Sequence, residues 1–254
     1  MKLIMNADDF GLTTEVNRAI IKCMEHGVVK ATTLMVNQPG TADAINLIKQ
    51  GKVCGDVGLH LTLTSGRPIL PAHAVPDLVD EDGYFLSNPV LTKKKTINLE
   101  QVYNELSAQY QHAIESGVKL SHLDCHHFAA TLPQIKPAYI DFANNVGLPS
   151  RRADVFEPGQ SDLHVPTPDA LDITFYDNGA TFVHLQTLLL QHQADFPHGI
   201  LEVMCHPGSF NDTSINAISS YTTQRCKETQ ILTSVELSNW LAKYDIECIG
   251  FSQL

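Results

Sequence analysis

Long apolar runs are missing from this sequence, and their absence limits where the protein can act. A membrane-spanning helix takes roughly 18 consecutive apolar residues, and no stretch approaches that length. The N-terminal residues also lack the basic region and long apolar region that mark a secretory signal. We therefore expect no membrane partner and no export.

Paired cysteines and an excess of basic residues are also absent. The six cysteines are scattered and contain no C-x-x-C pair, which predicts reduced thiols and a cytoplasmic protein. The 17 Lys and Arg residues stand against 28 Asp and Glu residues, so the formal net charge of −11 argues against a nucleic-acid partner. The hydrophobic content of 43% is enough for the core of a globular protein of 254 residues.

Short apolar segments rich in β-branched residues alternate with amphipathic helical segments along the whole chain. Repeated β-then-α units predict parallel strands joined by right-handed crossovers. About seven such units fit a closed or nearly closed, TIM-like (β/α) barrel better than an open sheet, as one α/β domain over residues 1–254. The predicted strands cover residues 2–6, 31–36, 57–63, 120–125, 148–153, 200–205 and 246–251.

A doubly wound sheet is the alternative architecture. The glycine-rich loop that often marks it, G-x-G-x-x-G after the first strand, is missing here. Two long irregular segments, near residues 64–97 and 154–180, each follow a predicted strand. In a barrel both would lie over the face that holds the active site.

Four predicted strands end in carboxylates or imidazoles, and this pattern is the main functional signal in the sequence. The first ends at Asp8-Asp9; both side chains can reach one site only if the backbone turns there, because successive strand residues point to opposite faces. The other three strand ends carry His60, then His122, Asp124, His126 and His127, and finally His206. One such histidine could be an ordinary core residue. Four strand ends at one edge of a sheet predict a shared site.

The chemistry of this donor set points to a bound metal. Two imidazoles and a carboxylate with open coordination positions suit a catalytic divalent ion, which polarises a carbonyl and lowers the pKa of bound water toward 7. A second carboxylate can accept a proton from that water, and an opposing histidine can protonate a leaving group, so the set predicts metal-assisted hydrolysis. A non-haem iron oxygenase uses similar ligands, but it would leave Asp8 without a task.

Three motifs resemble those of the YdjC-like carbohydrate deacetylases. They are N-A-D-D-F-G at residues 6–11, G-L-H-L-T at residues 58–62 and H-L-D-C-H-H at residues 122–127, and the resemblance runs over essentially the whole chain. It implies a distorted (β/α) barrel and hydrolysis of N-acetyl groups from amino-sugar oligosaccharides of the chitooligosaccharide type.

The resemblance also implies roles for individual residues. Asp9, His60 and His126 would bind one divalent metal ion, either Mg²⁺ or Zn²⁺. Asp8 would be the catalytic base, and His206 would be the catalytic acid that protonates the departing amine. Arg151 falls where the family tends to place an arginine near the site, so it would bind substrate; a surface or salt-bridge role is the alternative. An acetylated oligosaccharide would be the partner, and a homodimer is what the family suggests.

The chain departs from the family pattern after His127. Where more histidines are usual, it reads Phe128-Ala129-Ala130, and Cys125 stands where a serine is common. The loss of the histidines bears on substrate choice more than on the chemistry. Cys125, next to a metal ligand, would be either an inert buried thiol or a site sensitive to oxidation. Two other functions stay open: a sugar-binding protein with a structural metal, and a metal-dependent hydrolase of another amide or a phosphoester.

Overall fold

The computed structural model describes residues 1–157, 159 and 162–254. Its strands are β1 (Lys2–Phe10), β2 (Ala31–Leu34), β3 (Asp56–Leu61), β4 (Leu123–Cys125), β5 (Ala170–Asp172), β6 (Ile200–Cys205) and β7 (Glu247–Cys248). Its α-helices are α1 (Thr14–His26), α2 (Thr41–Lys49), α3 (Asn88–Lys93), α4 (Leu99–Glu115), α5 (Lys136–Val146), α6 (Phe182–Asp195), α7 (Thr223–Leu232) and α8 (Val235–Lys243).

The strands form one curled sheet in the order β4-β3-β2-β1-β6-β5, and β7 pairs with the start of β1. Every pairing between these strands is parallel. Helices connect successive strands, so the carboxyl ends of the strands meet along one edge. This confirms the predicted α/β fold of a distorted, single-domain TIM-like barrel.

Strand β1 is the centre of the sheet, and every residue in it except Lys2 is buried. It pairs with β6 from Lys2 to Ala7 and with β2 in its second half. The register with β2 shifts between Ala7 and Phe10, and Asp9 has a left-handed φ of 69°. The backbone therefore turns where the sequence requires it to turn, and Asp8 and Asp9 can face the same side of the sheet end.

The prediction of a strand at residues 148–153 is wrong, because the structure has no regular strand there. Only Ser150 pairs, in an isolated parallel bridge to Leu123 of β4. Pro149 has no N–H to extend the ladder, and the Ser150 N–H is donated to the Pro166 carbonyl instead. The segment nevertheless lies at the edge of β4, so it still delivers Arg151 to the end of the sheet.

The predicted loop near residues 154–180 contains a strand that the sequence did not indicate. Strand β5 is three residues long and half-buried, and it pairs with β6. A three-residue segment, Ala-Leu-Asp, has too few apolar positions to produce a periodic signal. Strands β4 and β7 were also predicted too long: β4 begins at Leu123 and not at residue 120, and β7 covers only two residues.

The segment near residues 64–97 is held by two polar side chains of α4. Both carboxylate oxygens of Glu105 accept backbone N–H groups, one from Ile69 and one from Leu70. The Gln109 amide bonds to both backbone groups of Thr62, just after β3. These bonds fix the start of the segment against the barrel.

In the described part of the chain, no helix has both the length and the apolar character needed to cross a membrane.

Gly58 in β3 lies against the buried ring of His122, and this contact permits a stability test. A Cβ at Gly58 would lie 2.6 Å from two atoms of that ring, whose other face stacks on Phe251 at 3.8 Å between centroids. We expect Gly58→Ala to lower the free energy of unfolding by about 1–3 kcal/mol, measured by urea denaturation. His122→Ala makes room, so the double variant should be destabilised by less than the sum of the single changes. Strict additivity would contradict this account of the contact.

Candidate metal centre and active site

The ends of β1, β3, β4 and β6 open into one cavity of about 430 Å³. Five of the six residues predicted for the site line this cavity: Asp8, Asp9, His60, His126 and His206. Arg151, the sixth, lies behind Asp8 and does not line it. The parallel sheet thus brings together groups that are up to 198 residues apart in the chain.

Asp9, His60 and His126 form a compact, buried cluster of ligand atoms. Asp9 Oδ1 lies 3.4 Å from His60 Nε2 and 3.0 Å from His126 Nδ1, and the two imidazole nitrogens are 3.3 Å apart. Although Asp9 Oδ1 is buried, it makes no hydrogen bond of acceptable geometry within the described residues. A buried oxygen without a donor, facing two imidazole nitrogens, is the arrangement that a bound cation satisfies.

His60 is oriented for this task by Asp124. The imidazole Nδ1 lies 2.7 Å from Asp124 Oδ1, so it carries the proton and leaves the Nε2 lone pair toward Asp9. The second carboxylate oxygen, Asp124 Oδ2, accepts a hydrogen bond from the Thr33 hydroxyl at 3.0 Å. Burial by itself lowers the pKa of His60. The carboxylates of Asp124, Asp9 and Asp8 outweigh this effect and raise that pKa to about 10 in the metal-free protein. Without a metal, both ring nitrogens therefore carry protons at neutral pH, and a metal ion would have to displace the proton on Nε2 to use that lone pair.

Only the first histidine of the His126-His127 pair joins the cluster. His127 and Phe128 have left-handed φ angles of 55° and 53°, and this tight turn directs the His127 ring to the Thr64 hydroxyl at 3.0 Å. Burial lowers the pKa of His127 to about 3, so its ring is neutral and packs against His126 at 3.7 Å between centroids. His127 therefore supports the ligand His126.

Asp8 is held by Arg151 in a bidentate ion pair. Asp8 Oδ1 and Oδ2 lie 2.7 and 2.8 Å from the two terminal guanidinium nitrogens, and the Asn6 amide donates a further hydrogen bond to Oδ1. Burial would raise the pKa of Asp8, but Arg151 outweighs it and holds that pKa well below the usual range. Asp8 therefore stays ionised at any pH at which an enzyme of this kind works.

The contacts of Arg151 are with protein carboxylates. Besides Asp8, its guanidinium binds Asp124 at 3.1 Å and Glu202 at 2.7 Å. Its side chain is 3% exposed, so the arrangement assigns it to positioning Asp8 and Asp124. A direct contact with substrate, as the resemblance implied, stays a prediction.

His206 lines the cavity beside Asp8. Its Nε2 lies 4.0 Å from Asp8 Oδ2, its backbone N–H is donated to Glu228, and its buried Nδ1 has no hydrogen-bond partner among the described residues. Burial lowers its pKa to about 4, although Asp8 and Asp9 act in the opposite direction. His206 is therefore neutral in the resting site.

Sequence reasoning missed several residues that complete the site. Arg225 of α7 binds Asp9 Oδ2 at 2.6 Å, and Glu228 of the same helix accepts the Tyr221 hydroxyl. Nothing in the local sequence of α7 indicates this role. Glu202 could have been found, because it is a lone carboxylate inside the apolar strand β6.

A second group of metal-ligating side chains, Asp8, His60 and Asp124, lies beside the first. Both of its carboxylates are already bound to Arg151, so a cation would have to displace a guanidinium. The cluster of Asp9, His60 and His126 has no such competitor on Asp9 Oδ1. With two nitrogens, one oxygen and open positions, that cluster fits a catalytic divalent ion.

A curled, parallel α/β sheet with an aspartate–histidine cluster at the carboxyl ends of its strands defines a barrel protein with an active-site cavity. Residues 2–243 match the sequence model of the family described as YdjC-like protein. Carbohydrate deacetylase 1 of Listeria innocua is 35% identical over 257 residues, which cover all of both chains. A carbohydrate deacetylase of Vibrio cholerae is 38% identical over 254 residues, covering all of this chain and 96% of that one. The chain belongs to the YdjC-like family.

Solved structures share the fold of this chain. A crystal structure from Enterococcus faecalis V583, of a proposed cellobiose-phosphate cleavage protein, has a TM-score of 0.90 and 34% identity, covering 99% of this chain and 98% of that one. An uncharacterised protein from Agrobacterium tumefaciens C58 shares the fold at a TM-score of 0.55, with 11% identity, over 99% of this chain and 88% of that one.

Removing Arg151 should destabilise the protein strongly, because Asp8, Asp124 and Glu202 would then be buried without their cation. We expect Arg151→Met to lower the free energy of unfolding by about 3–5 kcal/mol in urea denaturation. The adjacent Arg152 is the matched control. It pairs with Asp154 and is 28% exposed, so Arg152→Met should change stability by less than about 1 kcal/mol. Equal losses in both variants would contradict the central role of Arg151.

Adjacent histidines also allow a test of the metal ligands. Wild-type protein titrated calorimetrically with Zn²⁺ after chelator treatment should bind one equivalent at the cluster. We expect His126→Ala to weaken this binding by about 100-fold or more, because a ligand is lost and not only its support. His127→Ala should weaken binding by about tenfold or less, because only the support of His126 is lost and not a ligand. Equal losses in the two variants would place the ion elsewhere.

Proposed function

We propose that the protein is a metal-dependent carbohydrate deacetylase that hydrolyses N-acetyl groups of amino-sugar oligosaccharides, of the chitooligosaccharide type. The observation that carries the proposal is the cluster of Asp9, His60 and His126 at the base of the cavity, with Asp8 and His206 beside it. Relatives named carbohydrate deacetylase, aligned along the whole chain, support the sugar class.

Asp9, His60 and His126 would hold the divalent ion. When bound, the ion would polarise the acetyl carbonyl and make water more acidic. Imidazole ligands favour Zn²⁺ or a similar transition ion, whereas the family resemblance suggests Mg²⁺. Arg225 binds the second oxygen of Asp9, so the carboxylate is left with Oδ1 toward the two histidines.

Asp8 is the proposed catalytic base. Its low pKa keeps the carboxylate ionised, and the bidentate pair with Arg151 fixes its plane at the base of the cavity. It therefore accepts a proton from the attacking water without first having to lose one. Arg151 acts through Asp8 as a positioning residue.

His206 is the proposed catalytic acid. Because its resting imidazole is neutral, it has to gain a proton before it can donate one. In the proposed sequence, Asp8 takes the proton from water and passes it to His206, which protonates the departing amine nitrogen. Because Asp8 Oδ2 lies 4.0 Å from His206 Nε2, the two atoms must first approach to hydrogen-bond distance. The C–N bond breaks, and acetate and a free amine leave the site.

Phosphoester hydrolysis has less support. The cavity region does contain two arginines, but Arg151 and Arg225 both donate to protein carboxylates. Arg225 lines the cavity and its Nη1 has no partner among the described residues, but its Nη2 is already bound to Asp9, so the two terminal nitrogens are not both free to bind a phosphate. We further propose that the protein acts in the cytoplasm, on the basis of its six free cysteines. The homodimer stays an expectation from the family resemblance.

The test of this function is acetate release from N,N′-diacetylchitobiose. Chelator-treated protein is compared with protein resupplied with Zn²⁺, Mg²⁺, Co²⁺ or Mn²⁺. We expect release only with added metal, and the most active ion identifies the cofactor. Absence of release with every ion, from protein shown to bind one, would favour another acyl or phosphoryl substrate or a sugar-binding role.

The two catalytic assignments make a separate prediction. Asp8→Asn and His206→Gln should each lower kcat/KM for acetate release by about 10²–10⁴-fold, because each removes a proton-transfer group while the metal ligands stay intact. His112→Gln, an exposed substitution in α4, is the matched control and should retain activity. Metal binding measured in parallel shows that the site is still assembled. Unchanged acetate release by Asp8→Asn, with metal bound, would refute its assignment as the base.

A further inference from the structure

Two tyrosines form a stacked pair on the wall of the cavity. The rings of Tyr176 and Tyr221 lie 4.2 Å apart between centroids at an interplanar angle of 13°. Both residues line the cavity, but Tyr221 is 7% exposed and Tyr176 is 42% exposed. Tyr221 thus covers one face of the Tyr176 ring, and much of the remaining surface of Tyr176 is open.

His206 packs against the side of the tyrosine stack, not on the outer face of Tyr176. The imidazole is almost equidistant from the two tyrosine rings, at 5.4 Å from Tyr176 and 5.7 Å from Tyr221, and it is steeply inclined to both. A ring placed over the outer face of Tyr176 would lie much farther from Tyr221. His206 therefore packs beside the stack and does not cover that outer face, which is consistent with the 42% exposure of Tyr176.

The stack is held rigidly from behind. The Tyr221 hydroxyl donates to Glu228 Oε1 and accepts the backbone N–H of Asp177, the residue after Tyr176. The Asp177 carboxylate in turn accepts a hydrogen bond from Gln224 of α7. Phe175, on the other side of Tyr176, is completely buried. Tyr176 is thus presented to the cavity with little freedom to collapse.

We propose that the outer face of Tyr176 is a sugar-binding subsite, on which a pyranose ring of the substrate stacks through its C–H groups. The negative face of an aromatic ring attracts such groups, and their burial adds hydrophobic stabilisation. The inference rests on the proposed deacetylase function and adds the residue that would hold the sugar beside His206. Tyr84, the other exposed tyrosine of the long loops, stacks under Arg67 at 4.0 Å and does not line the cavity.

The test measures binding without turnover. Chelator-treated protein is titrated with N,N′-diacetylchitobiose, and binding is followed by calorimetry. We expect Tyr176→Ala to weaken binding about tenfold, which corresponds to about 1.4 kcal/mol. Tyr176→Phe keeps the ring and should keep most of the affinity, and Tyr84→Ala should bind like wild type. With metal restored, Tyr176→Ala should raise KM and leave kcat nearly unchanged.

The outcomes separate this inference from the proposed function. Binding by Tyr176→Ala as tight as that of wild type, or a loss in Tyr176→Phe as large as in Tyr176→Ala, would overturn the subsite. A wild-type protein that binds no sugar at millimolar concentration would overturn it as well. Weaker binding by Tyr176→Ala, from a wild-type protein that releases no acetate with any metal, would support the subsite and refute the deacetylase.

Discussion

The buried guanidinium of Arg151 is the interaction on which the site depends. It joins Asp8 from β1, Asp124 from β4 and Glu202 from β6, so one cation ties together three strands of the sheet. Buried carboxylates are costly without such a partner. With Asp9 included, four carboxylates share Arg151, Arg225 and the cationic ring of His60, so a metal ion bound at His60 would replace the proton that the ring carries.

The turn in β1 gives this charge arrangement its geometry. Asp9 adopts a left-handed φ that ordinary residues avoid, and the local register with β2 is broken there. As a result Asp8 faces Arg151, while Asp9 faces His60 and His126 on one side and Arg225 on the other. Two adjacent carboxylates thus obtain different partners, which suits one to hold a metal and the other to accept a proton.

Much of the fold could be predicted because strands buried on both faces leave a clear apolar signal. The segments that became β1, β2, β3 and β6 have it, and each was found. The apolar signal does not predict strands whose pairing depends on which other strand happens to lie beside them. Residues 148–153 look like a strand but pair only at Ser150, and β5 pairs with β6 although its three residues are only half-buried.

For the site, the sequence by itself determined which groups lie at the strand ends: Asp8, Asp9, His60, His126 and His206. Parallel strands must deliver their carboxyl ends to one edge, so sequence position alone brings these residues together. Tertiary structure alone decided which partners surround each of them. Arg225 and Tyr176 reach the cavity from α7 and a loop, and Glu228 of α7 holds Tyr221 in place, through contacts between distant segments that no local pattern encodes. The sequence also could not tell which of His126 and His127 joins the cluster. That difference depends on the backbone turn at His127 and on its contact with the Thr64 hydroxyl.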